Sequence, residues 1–256
     1  MIANYHTHTP RCRHAEGTEA EYVQAALDSG LQILGFSDHT PYWFHGDYYS
    51  HMRMYPHELD GYCDAVRQVK KQYAGKLQIH LGLEVEYYPA FFHEVLRRAR
   101  DQGIEYFLLG QHWVGNEQDE PYCGRGMEDE ALLKRYCDQV IEAMQTGLFT
   151  YLAHPDLIHY VGDPKVYQRH MRRVCKEAKS CAIPVEINLL GLVEGRHYPN
   201  RLFWEVAAEE NCHCVIGCDA HRPSAIVKQN AEEKALEMVR AFDLKLLETV
   251  KLRSIG

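Results

Sequence analysis

Sixteen histidines in 256 residues stand out in this sequence, and several of them lie beside other residues that can bind metal. Near the amino terminus, His6-Thr-His8 places two imidazoles at alternate positions. Alternate side chains of an extended segment point the same way, so the two rings can chelate one ion. Asp219-Ala-His221 repeats this spacing with a carboxylate and an imidazole. Because histidine is the commonest metal-ligating side chain, the first interpretation is metal binding.

Neither short motif is specific alone, so the other candidate ligands matter. They are His14, His39 within Asp38-His39, Glu84, His112 and His154 within His154-Pro-Asp156. Glu84 has a rival in Glu86, which points to the same face of a strand. A glutamate among neutral imidazoles is suited to bridging two cations. A ligand set of this kind without thiolates fits Zn, Mn or Fe and disfavours an all-oxygen Mg or Ca site.

Short apolar segments rich in strand-forming residues alternate with amphipathic segments along the chain. The predicted strands are Ile2–Tyr5, Ile33–Ser37, Leu77–Glu84, Tyr106–Gly110, Thr150–Ala153, Pro184–Asn188 and Cys214–Gly217. Strands that alternate with helices predict βαβ units and a parallel sheet. We expect an α/β fold, a (β/α)7 barrel that forms a single domain over residues 1–256. A doubly wound open sheet is the structural alternative.

The predicted helices have recognisable ends. Thr18-Glu-Ala-Glu21 is a capping box, and the helix that it begins runs to Ser29, before Gly30. Asp163-Pro164 begins a helix that reaches Ser180. The other helices are predicted near Pro56–Tyr73, Ala90–Gln102, Glu128–Thr146, Pro199–Asn211 and Ser224–Phe242.

The candidate ligands follow six of the seven predicted strands, at the carboxyl end of each. Only the sixth strand, which ends in Glu186-Ile-Asn188, lacks an obvious ligand. Catalytic groups of barrels converge from the carboxyl ends of several strands, so we expect one metal site at the barrel mouth. The irregular segments Thr40–Tyr55 and Gly115–Met127 follow predicted strands and are expected to cover this site.

Composition excludes several other classes of protein. A formal charge of −8 argues against a dedicated nucleic-acid-binding protein but not against a small anionic substrate. The nine cysteines are scattered without a CxxC pair, which favours a reducing cytoplasm. The first residues lack the features of a signal peptide, and no apolar segment is long enough to span a membrane. The sequence carries no signal for an oligomeric state.

The order of these motifs resembles the PHP (polymerase and histidinol phosphatase) family over nearly the whole chain, from His6 to His221. Within the family the chain looks most like the stand-alone histidinol phosphatases. Supporting segments are Ser37-Asp-His39-Thr-Pro41, Gly82-Leu-Glu84-Val-Glu86, Gly191-Leu and Arg196-His-Tyr198-Pro199. The resemblance implies a distorted (β/α)7 barrel, similar to a TIM barrel, that holds three divalent metal ions.

The resemblance also implies a role for each ligand. The first ion would take His6, His8, Glu84 and Asp219; the second would take Glu84, His112 and His154; the third would take His14, His39 and His221. Glu84 and Asp219 would be catalytic through these ions, and Arg196 would hold the substrate phosphate. Two departures from the family pattern, Gln111 and Cys218, remove no ligand.

The activity implied by the resemblance is hydrolysis of a phosphate monoester, with L-histidinol phosphate as the expected substrate. Asp156 and a metal-bound water are the candidate proton donors to the leaving group, and Asp47 and Glu117 are candidates to pair with the substrate amine. One alternative is a phosphoesterase that acts on a nucleotide or a sugar phosphate. Others are a non-catalytic metal-binding protein and, less favoured because no strand end offers a lysine, an amidohydrolase.

Overall fold

The computed structural model describes residues 1–118, 121–226 and 229–256. Its strands are β1 (Ala3–Asn4), β2 (Ile33–Phe36), β3 (Gln78–Val85), β4 (Tyr106–Leu109), β5 (Phe149–Leu152), β6 (Val185–Asn188), β7 (His213–Gly217) and β8 (Lys245–Leu246). Its α-helices are α1 (Glu19–Asp28), α2 (Leu59–Gln72), α3 (Pro89–Asp101), α4 (Glu130–Gln145), α5 (Pro164–Ser180), α6 (Leu189–Glu194), α7 (Arg201–Glu209) and α8 (Gln229–Ala241). Within the described ranges, no helix is both long and apolar enough to cross a membrane.

All neighbouring strands are parallel, in the order β1 to β8 along one curved sheet. Beyond β1 and β7 the backbone pairs again: Thr7 forms a parallel bridge with Ala220, and the His8 N–H donates to the Ala220 carbonyl at 2.9 Å. This bridge brings the first and seventh strands together at their carboxyl ends. It confirms the barrel arrangement and excludes the doubly wound open sheet.

Most of the predicted elements are confirmed within one or two residues at each end. The capping box at Thr18 is present, and α5 occupies Pro164–Ser180 as expected. The predicted helix Ser224–Phe242 is instead a 3-10 turn, Pro223–Ala225, followed by α8, and residues 227 and 228 between them lie outside the described residues.

Two elements were not predicted. The eighth strand, β8, is only two residues long and pairs with the beginning of β7, too short for a strand pattern to show. Helix α6 is also short, and its first turn is capped by the Asn188 side chain, which accepts a hydrogen bond from Gly191 N–H. Neither element changes the barrel, but α6 begins where β6 ends and therefore lies beside the barrel mouth.

Two apolar layers hold the barrel together. The inner layer consists of Ala3, Tyr5, Tyr106, Leu108, Tyr151, Ala153 and Val215. A larger outer layer packs between the sheet and the surrounding helices. The chain after β8 packs Leu247, Val250 and Leu252 against the inner layer, and Val250 N–H donates to the Tyr5 hydroxyl at 3.4 Å. This tail covers the amino end of the barrel, so the carboxyl end is left for a site.

Candidate metal centre

Glu84, near the end of β3, lies at the centre of the histidine cluster and is 1% exposed. Five histidine nitrogens surround its carboxylate: His154 Nε2 at 2.8 Å, His39 Nδ1 at 2.9 Å, His6 Nε2 at 3.5 Å, His8 Nε2 at 3.6 Å and His112 Nε2 at 3.8 Å. These histidines follow four different strands, as the strand assignment predicted: His6 and His8 both follow β1, and the other three follow β2, β4 and β5. One carboxylate therefore contacts most of the cluster with both of its oxygens.

Asp219 and the remaining histidines complete the cluster. Asp219 Oδ1 lies 3.0 Å from His8 Nε2 and 3.5 Å from His6 Nε2, and His14 Nε2 lies 3.0 Å from His221 Nε2. Three groups have ligand atoms within 4.8 Å of one another and overlap the three expected sets: His6 with His8 and Asp219, His6 with Glu84 and His154, and His14 with His39 and His221. The structure thus brings all nine candidate ligands together.

Several buried polar atoms in this cluster face one another without a hydrogen-bond partner among the described residues. They are His6 Nε2, His8 Nε2 and Glu84 Oε2. Burying such atoms unpartnered costs free energy, and native proteins rarely leave them so. Imidazole nitrogens and carboxylate oxygens are ligands for first-row divalent cations, so this donor set fits metal ions.

A second row of carboxylates lies behind the histidines, and sequence reasoning did not assign it. Glu186 Oε1 lies 2.9 Å from His6 Nδ1, Glu86 Oε1 lies 3.1 Å from His112 Nδ1, and Asp38 Oδ1 lies 3.5 Å from His8 Nδ1. In each of these pairs, the other nitrogen of the histidine ring points into the cluster, an arrangement typical of metal-ligating histidines. Strand β6, predicted to lack a ligand, therefore contributes Glu186 as a support for His6.

The charges of the cluster depend on one another. Burial raises the pKa of Glu84, but His39, His6 and His112 outweigh this effect and hold that pKa well below its usual range. Burial likewise raises the pKa of Asp219, and His6 and His8 hold it well below its usual range. Both carboxylates are therefore ionised, the form in which they bind metal.

The pKa values of the histidines shift in opposite directions. Burial lowers the pKa of His8, but the adjacent carboxylates of Asp219 and Asp38 raise it overall to about 9. Burial holds the pKa of His39 well below its usual range, and the neighbouring charge of His8 lowers it further although Glu84 opposes this. Protons and metal ions compete for the same nitrogens, so metal binding would release protons here.

Two glycines make room for the buried carboxylates. A Cβ atom at Gly110, which follows β4, would lie 1.9 Å from Glu84 Oε1, and one at Gly217 would lie 1.8 Å from Glu186 Oε1. The backbone is also constrained at two candidate ligands, since His154 has φ 27° and Asp219 has φ 47°. Non-glycine residues rarely adopt such angles, and they concentrate at functional sites.

Replacing Gly110 by alanine should displace the Glu84 carboxylate. Turnover of the phosphate ester expected from the sequence should fall by about 100-fold, because a misplacement of an active-site group by about 1 Å has effects of that size. Steady-state kinetics and metal content would be measured on the same preparation. Gly61→Ala is the matched control: it lies within α2, no atom lies within 4 Å of its added Cβ, and alanine favours the helix. Wild-type turnover in Gly110→Ala would contradict the close packing inferred at Glu84.

A cleft of about 690 Å³ opens above the cluster, with His14, His39, His112, Asp219 and His221 on its walls. Arg196 also lines it, as the sequence suggested. Its guanidinium pairs with Glu194 at 2.6 Å and donates to the Tyr198 hydroxyl at 2.7 Å. A second arginine, Arg222, lines the same cleft and directly follows His221, but sequence reasoning did not consider it.

Three acidic residues that the sequence offered for other roles are not among the residues that line this cleft. Glu117 is 9% exposed and pairs with Arg53 at 2.6 Å, and Asp47 is exposed and does not line the cleft. Burial raises the pKa of Asp156 to about 7, against hydrogen bonds that lower it, chiefly one from Asn200 N–H at the start of α7. None of the three lines the cleft, and their roles as amine contacts or proton donor stay predictions.

Comparisons with known proteins identify the family and match the fold. The model of the PHP domain family matches residues 4–189. A relative from Deinococcus radiodurans named "Probable histidinol-phosphatase" is 31% identical over 236 residues, 88% of each chain, and one of the same name from Schizosaccharomyces pombe is 25% identical over 252 residues, 88% of this chain and 82% of its own. A crystal structure of a histidinol phosphate phosphatase from Lactococcus lactis, complexed with zinc, L-histidinol and phosphate, superposes with a TM-score of 0.75 at 16% identity, covering 99% of this chain and 97% of that one.

Proposed function

The chain belongs to the PHP domain family, and we propose that it is a metal-dependent phosphatase that hydrolyses L-histidinol phosphate to L-histidinol and inorganic phosphate. The observation that carries this proposal is the convergence of nine histidine and carboxylate side chains around Glu84 at the base of an open cleft. The names of the relatives from D. radiodurans and S. pombe supply the substrate.

The proposed centre holds three divalent ions, for which Zn, Mn and Fe are the fitting choices. His6, His8, Glu84 and Asp219 hold the first ion, Glu84 with His112 and His154 holds the second, and His14 with His39 and His221 holds the third. When bound, such ions activate water as a nucleophile at neutral pH and neutralise the charge of a phosphoryl group.

The residues of the chain have three tasks around these ions. Glu84 and Asp219 stay ionised and supply negative charge that holds the ions close together. Glu186 and Glu86 fix the ring orientations of His6 and His112, so that the other ring nitrogens point into the centre. Arg196 and Arg222, on the cleft wall, bind the oxygens of the substrate phosphate.

Arg196→Lys should raise the KM for the phosphate ester by about 10-fold, because lysine keeps the charge but loses the planar fork that binds two phosphate oxygens. Inorganic phosphate should become a correspondingly weaker competitive inhibitor. Arg201→Lys is the matched control, since Arg201 pairs with Glu205 at 2.8 Å on the surface of α7. An unchanged KM together with unchanged phosphate inhibition would remove Arg196 from the substrate site.

The substrate is tested by comparing kcat/KM for L-histidinol phosphate, a nucleoside monophosphate, a sugar phosphate and p-nitrophenyl phosphate on the metal-loaded protein. We expect histidinol phosphate to be preferred by at least about 100-fold, because a site with polar groups for a substrate's amine and imidazole rejects esters that lack them. Equal or better turnover of the nucleotide or the sugar phosphate would assign a different phosphoesterase. Absence of turnover with all four would favour a non-catalytic metal-binding protein.

A further inference from the structure

A buried ion-pair network centred on Arg53 lies directly behind His112. Arg53 is 2% exposed and belongs to the segment between β2 and α2. Its Nη2 lies 2.6 Å from Glu86 Oε2 and 2.6 Å from Glu117 Oε2. Its Nε donates to Glu117 Oε2 at 2.7 Å, and its Nη1 donates to the Thr40 carbonyl at 3.1 Å. One guanidinium therefore joins two buried carboxylates and the backbone of its own loop.

Aromatic rings enclose this guanidinium, which lies 5.0 Å from the centre of the Tyr42 ring and 5.8 Å from the centre of the Trp113 ring. Burying a charge is unfavourable unless it is paired and hydrogen-bonded, as it is here. A planar fork that binds two carboxylates while lying against aromatic rings is specific to arginine, and lysine cannot reproduce it.

The first carboxylate connects Arg53 to the metal centre. Glu86 presents Oε2 to Arg53 and Oε1 to His112 Nδ1, at 3.1 Å. An ionised carboxylate only accepts hydrogen bonds, so this contact places the His112 proton on Nδ1. The other nitrogen, Nε2, then faces Glu84 Oε1 at 3.8 Å. Arg53 acts on His112 by holding Glu86 in place.

The second carboxylate connects Arg53 to the loop after β4. Glu117 also accepts hydrogen bonds from the Tyr48 hydroxyl, at 2.9 Å, and from the Ser50 hydroxyl. The segment after β2 and the segment after β4 are therefore joined at a single guanidinium. The segment after β4 carries His112 itself, so the same network fixes the backbone on which this ligand lies.

We propose that Arg53 is a positioning residue: through Glu86 and Glu117 it holds His112 with Nε2 directed into the metal centre. The assignment rests on the proposed function in one respect, that His112 binds a metal ion. It differs from a purely structural role because it acts on one ring nitrogen of one ligand, and this effect is measurable without turnover.

The test is Arg53→Lys in the full chain. Zinc affinity, measured by competition with a chromophoric chelator, should fall by about 10- to 100-fold, the range for groups that support metal ligands. In the zinc-loaded chain labelled with ¹⁵N-histidine, the nitrogen signal of His112 Nδ1 should move, because its contact with Glu86 is lost or loosened. The His112 signal is identified by its absence from the spectrum of His112→Gln.

Arg98→Lys is the matched control, because Arg98 pairs with Glu94 at 2.8 Å and lies 5.2 Å from the Trp43 ring, on a face of α3 outside the cleft. Wild-type zinc affinity and an unmoved His112 Nδ1 signal in Arg53→Lys would overturn the assignment. If that variant does not fold, Glu86→Gln replaces it, and unchanged zinc affinity there would equally overturn it. If both effects appear but the wild-type chain does not hydrolyse histidinol phosphate, the proposed function fails and the assignment of Arg53 stands.

Discussion

Replacing Glu84 by glutamine should lower the turnover of histidinol phosphate by at least about 1000-fold, more than the loss of one stabilising hydrogen-bond donor in an active site. Glu84 contacts five histidine nitrogens with two oxygens. Glutamine has one oxygen and one amide nitrogen, which cannot bind a cation, so it cannot join two ions. Steady-state kinetics and elemental analysis of the same protein should show the fall in turnover together with a loss of bound metal.

Glu105→Gln is the control for this variant. Glu105 also pairs with a histidine, since its Oε2 lies 2.8 Å from His80 Nδ1, but it precedes β4 and so lies at the opposite end of the barrel. It should keep wild-type turnover and metal content. Substantial turnover in Glu84→Gln would show that the central carboxylate is not part of the reaction. If the variant kept its metal but lost turnover, Glu84 would act in the reaction and would not be needed to bind metal.

Removing metal with a chelator should abolish turnover and lower the melting temperature. The cluster buries several ionised or unpartnered groups whose ligands come from segments as far apart as His6 and Asp219, and such a site exists only in the folded chain. A ligand at 100 times its Kd that binds only the folded state adds about 3 kcal/mol of stability. For a chain of this size we expect Tm to fall by roughly 10 °C, measured by calorimetry with and without chelator.

Adding back Zn, Mn or Fe should restore both turnover and Tm. Glu84→Gln is the internal control, because a variant that has lost its metal should show a much smaller change in Tm on chelation. Identical melting curves before and after chelation, with metal shown to be absent by elemental analysis, would mean that the cluster is stable without cations.

Eight of the nine candidate ligands could be predicted from the sequence because each lies at or shortly after the end of a strand whose apolar pattern is local. His14 is the exception, since it lies beyond the turn Pro10–Cys12 that follows β1. A residue two or three positions beyond such a strand must lie close to the strand's end, and the parallel strands of a barrel end on the same face. Glu186 shows the limit of this reasoning. Its partner, His6, is 180 positions away, so no spacing in the sequence relates them.

Glu117 shows a second limit. An acidic residue in a loop above the site looks available to a substrate amine, and nothing local suggests otherwise. In the fold this carboxylate pairs with Arg53, although 64 positions separate the two residues. Residue type and loop position were predicted, whereas the choice of partner depends on tertiary packing.

Turnover of L-histidinol phosphate, followed while the metal-free chain is titrated with zinc or manganese, tests the central claim most directly. The metal content of each sample would be determined alongside. The proposal predicts no turnover without metal and a rise to a plateau at three equivalents per chain. Full turnover of the metal-free chain, or no turnover of histidinol phosphate at any metal content, would contradict it.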